Sequence, residues 1–380
     1  MTEMRPDLFF YGLEGKKVLF VKVDDLKPGM RLGKPIYNKN GVLLYDRDTH
    51  LTAQAIVGIR NFGLLGIYIL EPAEPVPPMT KDDINFERFQ TMAVFSIRED
   101  LDLIASGKKD KGLDWLCSLV IKNYMGLGRK INFVQNLRSN EDFVYKHVLN
   151  VAILSAIIGG QMELPVGRVN TLVKAAILHD IGALKFREKP DGVDIPLDVR
   201  QAISDNSKEI LDKYMDLDVD IAKLIYQMHE LYCMPEDEPV PAALKANSNV
   251  NILLVADAYD RMTAMKSQEE PTSEVQAVRH LLNESEIYDQ KVVNALIKAI
   301  NILVPGVCIE LNNGHTGLVI RENEDNIFEP LVLNFRNNQL YDLASAQMRD
   351  IMWITDVMKT MDNRIKLDSS LLEQYGPADI

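Results

Sequence analysis

Six histidines are spread over the 380 residues: His50, His147, His179, His229, His280 and His315. His147 stands among apolar neighbours, His179 is followed directly by Asp180, and His229 lies in an apolar-periodic stretch ending MHELY. Asp257 sits inside the run ILLVADAYD. A carboxylate in a buried-looking helix is costly unless its charge is paired or bound to a metal. Two imidazoles and two carboxylates converging from separate helices would form an N/O site for one divalent cation. The carboxylates would cancel the ion's charge, leaving positions open for water and a phosphate oxygen. Fe or Mn is the expected ion, although Ni and Zn accept the same donors. Plainer readings exist for each residue. Taken singly, His147 and His229 read as satisfied core histidines, and Asp257 could cap a neighbouring helix or pair with Arg261 at i+4. His315 follows an Asn-Gly turn and reads as a surface hairpin residue; His50 falls in a polar loop and His280 on a charged helix, and neither is given a role.

These side chains need elements to hold them. Ser139 with Asp142 three residues on forms a capping box, and Phe143, Val144, Val148, Val151 and Ala152 follow at helical spacing. Leu172, Ala175, Ala176 and Leu178 mark a second helix, which Gly182 is expected to stop in a left-handed cap. Ile221, Leu224, Ile225 and Met228 predict a third helix, and Ile252, Val255, Ala256 and Tyr259 a fourth. Before them, Val18–Val23 is β-prone, Asn40-Gly41 reads as a hairpin turn, Thr52 caps a helix carrying Ile56, Ile59 and Phe62, and Gly66–Leu70 returns as a strand. After Pro305-Gly306 the period drops to two through Val307, Ile309 and Leu311. An Asn313-Gly314 turn, Leu318 and Ile320 follow, with Leu331–Leu333 as a further strand. The expected organisation is a small α+β N-terminal domain over 1–71, a Pro-rich linker over 72–82 and a helical domain over 83–302. A β-hairpin annex over 303–343 and a helical tail over 344–380 complete it.

Composition narrows the function classes. With 42 Lys and Arg against 55 Asp and Glu, the net charge is −13 and argues against DNA or general nucleic-acid binding. An anionic ligand would need a metal or a local basic pocket. The longest apolar stretches, such as Val151–Gly160, are shorter than the roughly 18 residues of a membrane span. The first residues show no basic start followed by an apolar run, so a cytoplasmic protein with no membrane partner is expected. Cys117, Cys233 and Cys308 are unclustered and read as reduced thiols.

The order His147…His179-Asp180…Asp257, with the text AAILHDIGAL, resembles the HD superfamily of metal-dependent phosphohydrolases. More specifically it is similar to the HD-GYP branch, whose members hydrolyse cyclic di-GMP. KHVLNVAIL resembles the first-histidine helix, MHELYCMP stands at the His-His-Glu and Gly-Tyr-Pro signature, and VADAYDRMTAM resembles the segment of the last metal aspartate. VPGVCIELNNGHTGLVI resembles the strand pair that closes such domains, and VDDLKPGMRLGKPIYNKNGVLL the small domain placed before them, so the likeness runs over residues 18–335. It implies a mainly α fold, a helical HD-domain bundle with the α+β domain and β-hairpin annex at its ends. It implies a metal-dependent phosphodiesterase for a cyclic dinucleotide, foremost cyclic di-GMP, and a homodimer. The metal ligands it implies are His147, His179, Asp180, His229 and Asp257. Asp180 would stand where an aspartate can bridge two ions, and His229 would bind a second ion or donate a proton to the leaving oxygen. Asp180 and His229 are thereby the catalytic candidates, and Lys185 and Arg261 the candidates for neutralising the substrate's phosphate. The sequence departs from the pattern in several places: Met228 replaces the first histidine of the pair, Ala183 the lysine after HDIG and Phe143 a glutamate, the His-Pro pattern is absent where the chain reads AISDNSKEIL, and Gly-Tyr-Pro is missing from a shortened loop over Glu230–Pro235. One ion is therefore expected more firmly than a second. Two alternatives stand beside hydrolysis of cyclic di-GMP. One is a catalytically inactive signalling module that binds a nucleotide or a partner protein; the other is a phosphohydrolase acting on another nucleotide or small phosphoester.

Overall fold

In the computed structural model, the described residues are 18–357 except 38–41, 48, 62–65, 71–80, 134, 136–137, 140, 189, 191–194, 236–239, 246, 265–271 and 338. They fall in two compact units, one within residues 85–302 and the other formed by what precedes and follows. The β-prone start is strand β1 (Val18–Lys22), followed by β2 (Arg31–Leu32), β3 (Ile36–Tyr37), β4 (Leu43–Tyr45), helix α1 (Ala53–Asn61) and β5 (Gly66–Leu70). β5 lies between β1 and β2, antiparallel to both, and β3 pairs with β4 around residues 38–41, so the Asn40-Gly41 turn itself lies outside the described residues. Thr52 caps α1, its hydroxyl accepting from the N–H of Ala55 at 3.1 Å. Leu32, Leu51, Ile59, Ile67 and Ile69 form the core of this part. Phe62 and the Pro-rich segment through residue 80 are outside the described residues, and Lys81 and Asp82 already belong to a helix.

The second unit is a helical bundle. Its elements are α2 (Lys81–Ala105), α3 (Leu113–Tyr124), α4 (Phe143–Gln161), α5 (Val166–Leu178), α6 (Leu197–Leu211), α7 (Val219–Tyr232), α8 (Ala242–Lys245), α9 (Ser248–Thr263), α10 (Glu274–Asn283) and α11 (Gln290–Ala299). The capping box forms as read: Asp142 accepts from the Ser139 N–H at 2.7 Å, and Ser139 Oγ from the Asp142 N–H at 3.2 Å. A helix apolar on every side belongs in a core. α4 is buried around its circumference and packs on α3, α5, α9 and α11. Its 19 residues would suffice by length and hydropathy to cross a membrane, a longer apolar helix than its uninterrupted runs suggest, yet 89% of that window is buried inside the protein. α9 is its equal, buried continuously from Val250 to Thr263. The bundle thus keeps its two least exposed helices side by side, and these carry His147 and Asp257.

Gly182 plays a different part from the expected one. α5 ends at Leu178, four residues earlier, and Gly182 lies in a 3-10 turn, Ile181–Lys185, with no left-handed backbone. Its constraint is close approach: a Cβ there would lie 2.1 Å from the Ile203 carbonyl oxygen and 2.5 Å from the Ser207 nitrogen. Only glycine lets α6 lie against this turn, and the Gly182 N–H donates to Ser207 Oγ at 2.9 Å.

After the bundle, β6 (Cys308–Leu311), β7 (Thr316–Arg321), β8 (Leu331–Asn334), β9 (Gln339–Asp342) and β10 (Ile354–Val357) form one antiparallel sheet in the order β10-β6-β7-β8-β9. Gly314 makes the β6–β7 turn with φ +74°. The expected helical tail is absent over 344–357. Residues 344–351 form isolated turns, and Ile354 and Val357, both buried, pair with Leu311 and Ile309. The β-branched ITDV segment satisfies the open edge of β6 across a bulge between Ile354 and Asp356, which outweighs the helical propensity of Ala344–Met348. Residues 358–380 are outside the described residues.

Candidate metal centre

Three elements of the bundle bring their polar side chains to one buried place. α4 presents His147, fully buried; the end of α5 presents His179 and Asp180, each 2% exposed; α9 presents Asp257, Asp260 and Arg261. One ligand atom from each of His147, His179 and Asp180 lies within 4.8 Å of the others.

The ring orientations are set from behind. His147 Nδ1 faces Asp260 Oδ2 at 2.7 Å, and His179 Nδ1–H donates to the Ala176 carbonyl oxygen at 2.7 Å. Since a carbonyl and a carboxylate only accept, both rings carry a proton on Nδ1 and turn Nε2 toward the cluster. There the two Nε2 atoms approach the same oxygen, Asp257 Oδ1, at 2.9 and 3.2 Å, and His147 Nε2 lies 3.9 Å from Asp180 Oδ2. Imidazole lone pairs and carboxylate oxygens at such spacing repel unless a proton or a cation lies between them. The donor set fits a divalent ion: two histidines oriented by an outer carboxylate or carbonyl, and an aspartate. Among the described residues no second group of this kind occurs.

One arginine offsets part of the carboxylates' charge within the protein. Arg261 Nε donates to both oxygens of Asp257 at 3.1 and 3.0 Å, and its Nη2 to Asp180 Oδ2 at 3.1 Å. The plain i+4 pairing of Asp257 with Arg261 is therefore real, and it sits inside the cluster. Burial pushes the Asp257 carboxyl up, but Arg261 and the two imidazoles outweigh it and hold the group well below the usual carboxylate range. For His179 burial favours the neutral ring. The Asp257 hydrogen bond and the charges of Asp180 and Asp257 reverse this, so its pKa lies above the ordinary value.

Other expected residues stand differently. His229 is buried beside His179, but its Nε2–H donates to the His179 carbonyl oxygen at 2.8 Å, so it is not one of the three clustered ligands. Burial lowers its pKa, which keeps the ring neutral with a bare Nδ1 that has no partner among the described residues. Met228 is buried on the same helix. Lys185 is turned outward, its ammonium 2.6 Å from Glu209 Oε2. His315 is a hairpin residue bonded to Asn334 and Arg336.

Sequence reading missed Asp260 and Arg138. Asp260 is fully buried and, besides His147, accepts at Oδ1 from Gln135 Nε2 at 2.9 Å, Asn150 Nδ2 at 2.8 Å and Arg138 Nη2 at 2.5 Å. Burial raises its carboxyl, and Arg138 with His147 more than reverses that, so it stays ionised. The signal was present in ADAYD: Asp257 and Asp260, three apart, share a helix face, and the question asked of one buried carboxylate applies equally to the other. Arg138 offered none, being 122 residues from its partner.

Residues 144–262 match the HD domain family. Over 237 residues the chain is 24% identical to a cyclic di-GMP phosphodiesterase of Pseudomonas aeruginosa, an alignment covering 56% of this chain and 55% of that protein. The chain thus spans about half the length of the curated relative it matches. Among solved structures it is similar to an HDG"Y"P protein of Bdellovibrio bacteriovorus, at 12% identity and a TM-score of 0.42, covering 74% of this chain and 98% of that one. The match to the HD domain family thus falls on the stretch that holds His147, His179, Asp180 and Asp257, and the likeness to the phosphodiesterase is at low identity.

Proposed function

We propose that the protein is a metal-dependent phosphodiesterase that hydrolyses a cyclic dinucleotide, foremost cyclic di-GMP. The observation that carries this reading is the convergence of His147 Nε2, His179 Nε2 and an Asp180 oxygen, with both rings locked from behind. The similarity to a cyclic di-GMP phosphodiesterase supports the substrate class. His147, His179 and Asp180 would hold a divalent ion, which would supply Lewis acidity toward a water and a phosphoryl oxygen. The chain's own residues do the rest. Asp260 and the Ala176 carbonyl hold the imidazoles in the tautomer that ligates. Asp257 contributes charge beside them, and the neutral His229, with Nδ1 unpaired, can accept a proton and later return it to a leaving oxygen. Bundle helices exclude water around all of these groups, which strengthens each interaction.

One observation favours a second reading. Arg261 places a permanent cation against Asp180 and Asp257, so the chain itself offsets part of the carboxylates' charge. A domain in that state would bind a nucleotide or partner without turning it over. The deciding experiment is turnover of cyclic di-GMP by purified protein loaded anaerobically with Fe or Mn, followed by chromatography, with Asp180→Ala alongside. Linear or mononucleotide product that vanishes in the variant is expected. Absence of product from metal-loaded protein would favour the binding module, and product from other phosphoesters alone would reassign the substrate.

A further inference from the structure

Tyr232, the last residue of α7, lies one turn beyond His229, and two arginines from other helices converge on it. Arg200, in the first turn of α6, has its guanidinium carbon 5.6 Å from the centre of the Tyr232 ring and donates through Nη1 to the Tyr232 carbonyl oxygen at 2.7 Å. Arg261, from α9, has its guanidinium carbon 5.5 Å from the same ring. Three donor atoms of this trio are buried and have no hydrogen-bond partner among the described residues: Arg200 Nε, the Tyr232 hydroxyl and Arg261 Nη1. Buried donors are rarely left so, and three on converging side chains point to a shared acceptor. Arg261 is anchored by its other two nitrogens to Asp257 and Asp180, its side chain 3% exposed, so its free arm is held rather than mobile. Arg200 makes no ion pair among the described residues. Burial pushes the Tyr232 phenol above its ordinary pKa, so the hydroxyl remains a donor.

We propose that Arg200, Tyr232 and Arg261 form an oxyanion subsite beside the metal cluster, which takes a phosphoryl group of the substrate. The proposal rests on the phosphodiesterase reading for the class of its ligand. Its physical basis is the donor set: two guanidiniums and a phenol offer only donors, and planar guanidinium arms match tetrahedral oxyanions. A protein of net charge −13 repels anions at long range, and a local pair of arginines is what such a ligand requires. Lys185, occupied by Glu209, leaves this role to Arg200.

Titration of the protein with inorganic phosphate, and separately with dimethyl phosphate as the smallest phosphodiester, tests this by calorimetry and ³¹P line broadening. A chelator is present throughout, so that no metal ion binds the anion. Arg200→Gln and Tyr232→Phe are each expected to weaken binding by about 10-fold or more, the loss of one charge-assisted hydrogen bond. Tyr232→Phe is also expected to leave the melting temperature unchanged or raised, because the hydroxyl has no partner to lose; a merely structural tyrosine hydroxyl would lower it. Saturable binding of both anions, weakened by both variants, supports the subsite for the diester. Binding of phosphate alone, weakened in the same way, supports it with a monoester product as occupant. Absence of binding, or binding that neither variant weakens, overturns it. These outcomes do not depend on turnover: anion binding that needs Arg200 and Tyr232 in a protein without phosphodiesterase activity would retain the subsite and remove the enzymatic reading.

Discussion

Replacing Asp260 by asparagine keeps the shape of the side chain and removes the one charge that faces Arg138. The loss is not absorbed by rotation. An amide turned with its NH2 toward Gln135, Asn150 and Arg138 meets three donors, and turned the other way it meets the Nδ1–H of His147. Arg138, 1% exposed at its side chain, is left as an uncompensated buried cation. Breaking a buried pair in this way costs about 3–5 kcal/mol, against a total of roughly 5–15 kcal/mol for an ordinary domain. Metal affinity falls as well, by about 10–100-fold, because the carboxylate orienting His147 is gone. The two effects separate in the double variant. Adding Arg138→Met removes the stranded charge and should recover at least about 1 kcal/mol of stability, while the metal affinity stays low. Urea unfolding in chelator and Mn calorimetry read the two quantities. Stability of Asp260→Asn within about 0.5 kcal/mol of the parent, with unchanged affinity, would refute the argument that Asp260 both neutralises Arg138 and orients His147.

Arg261→Ala should lower the stability of the metal-free protein by about 3–5 kcal/mol, since two buried carboxylates lose their counter-charge. Saturating Mn at 100 times its dissociation constant should restore about 2.7 kcal/mol; a variant insensitive to metal would contradict this. Gly182→Ala should destabilise by about 1–3 kcal/mol or more and reduce metal affinity, because the methyl drives α6 off the turn that carries His179 and Asp180, and denaturant titration checks it. Asp110 is pushed up by burial, but the Tyr214 hydroxyl, the Leu113 N–H and the charges of Lys174 and Lys109 outweigh it and hold its carboxyl below the ordinary 3.8. The folded protein therefore binds this proton less tightly than the unfolded chain. Its contribution is complete above about pH 4 and is lost as pH falls through the folded value. Asp110→Ala should cost about 1–2 kcal/mol at pH 7, with the gap to the parent closing below pH 4, measured by unfolding at both pH values.

Much of the fold was written in local chemistry. The Ser139–Asp142 box, the Thr52 cap and the β5 strand depend on residues within a few positions of one another, and each forms as read. The departures arise where distant chain decides. Gly182 is required by α6 packing against it, not by a left-handed cap, and ITDV becomes a strand because β6 has an edge to pair. The same divide runs through the site. His147, His179 and Asp180 are legible because a charged or ligating side chain in an apolar helix demands a partner. Arg138, Arg200 and Tyr232 are not, because what matters is which groups face them across three helices, and what they leave unpaired.

Metal content tests most directly whether His147, His179 and Asp180 hold one divalent ion. Protein loaded anaerobically with Fe or Mn, desalted and analysed for metal per chain should carry one ion, and Asp180→Ala and His179→Ala should carry none while remaining folded. Metal-free parent protein after loading, or an ion retained undiminished in both variants, would contradict the account.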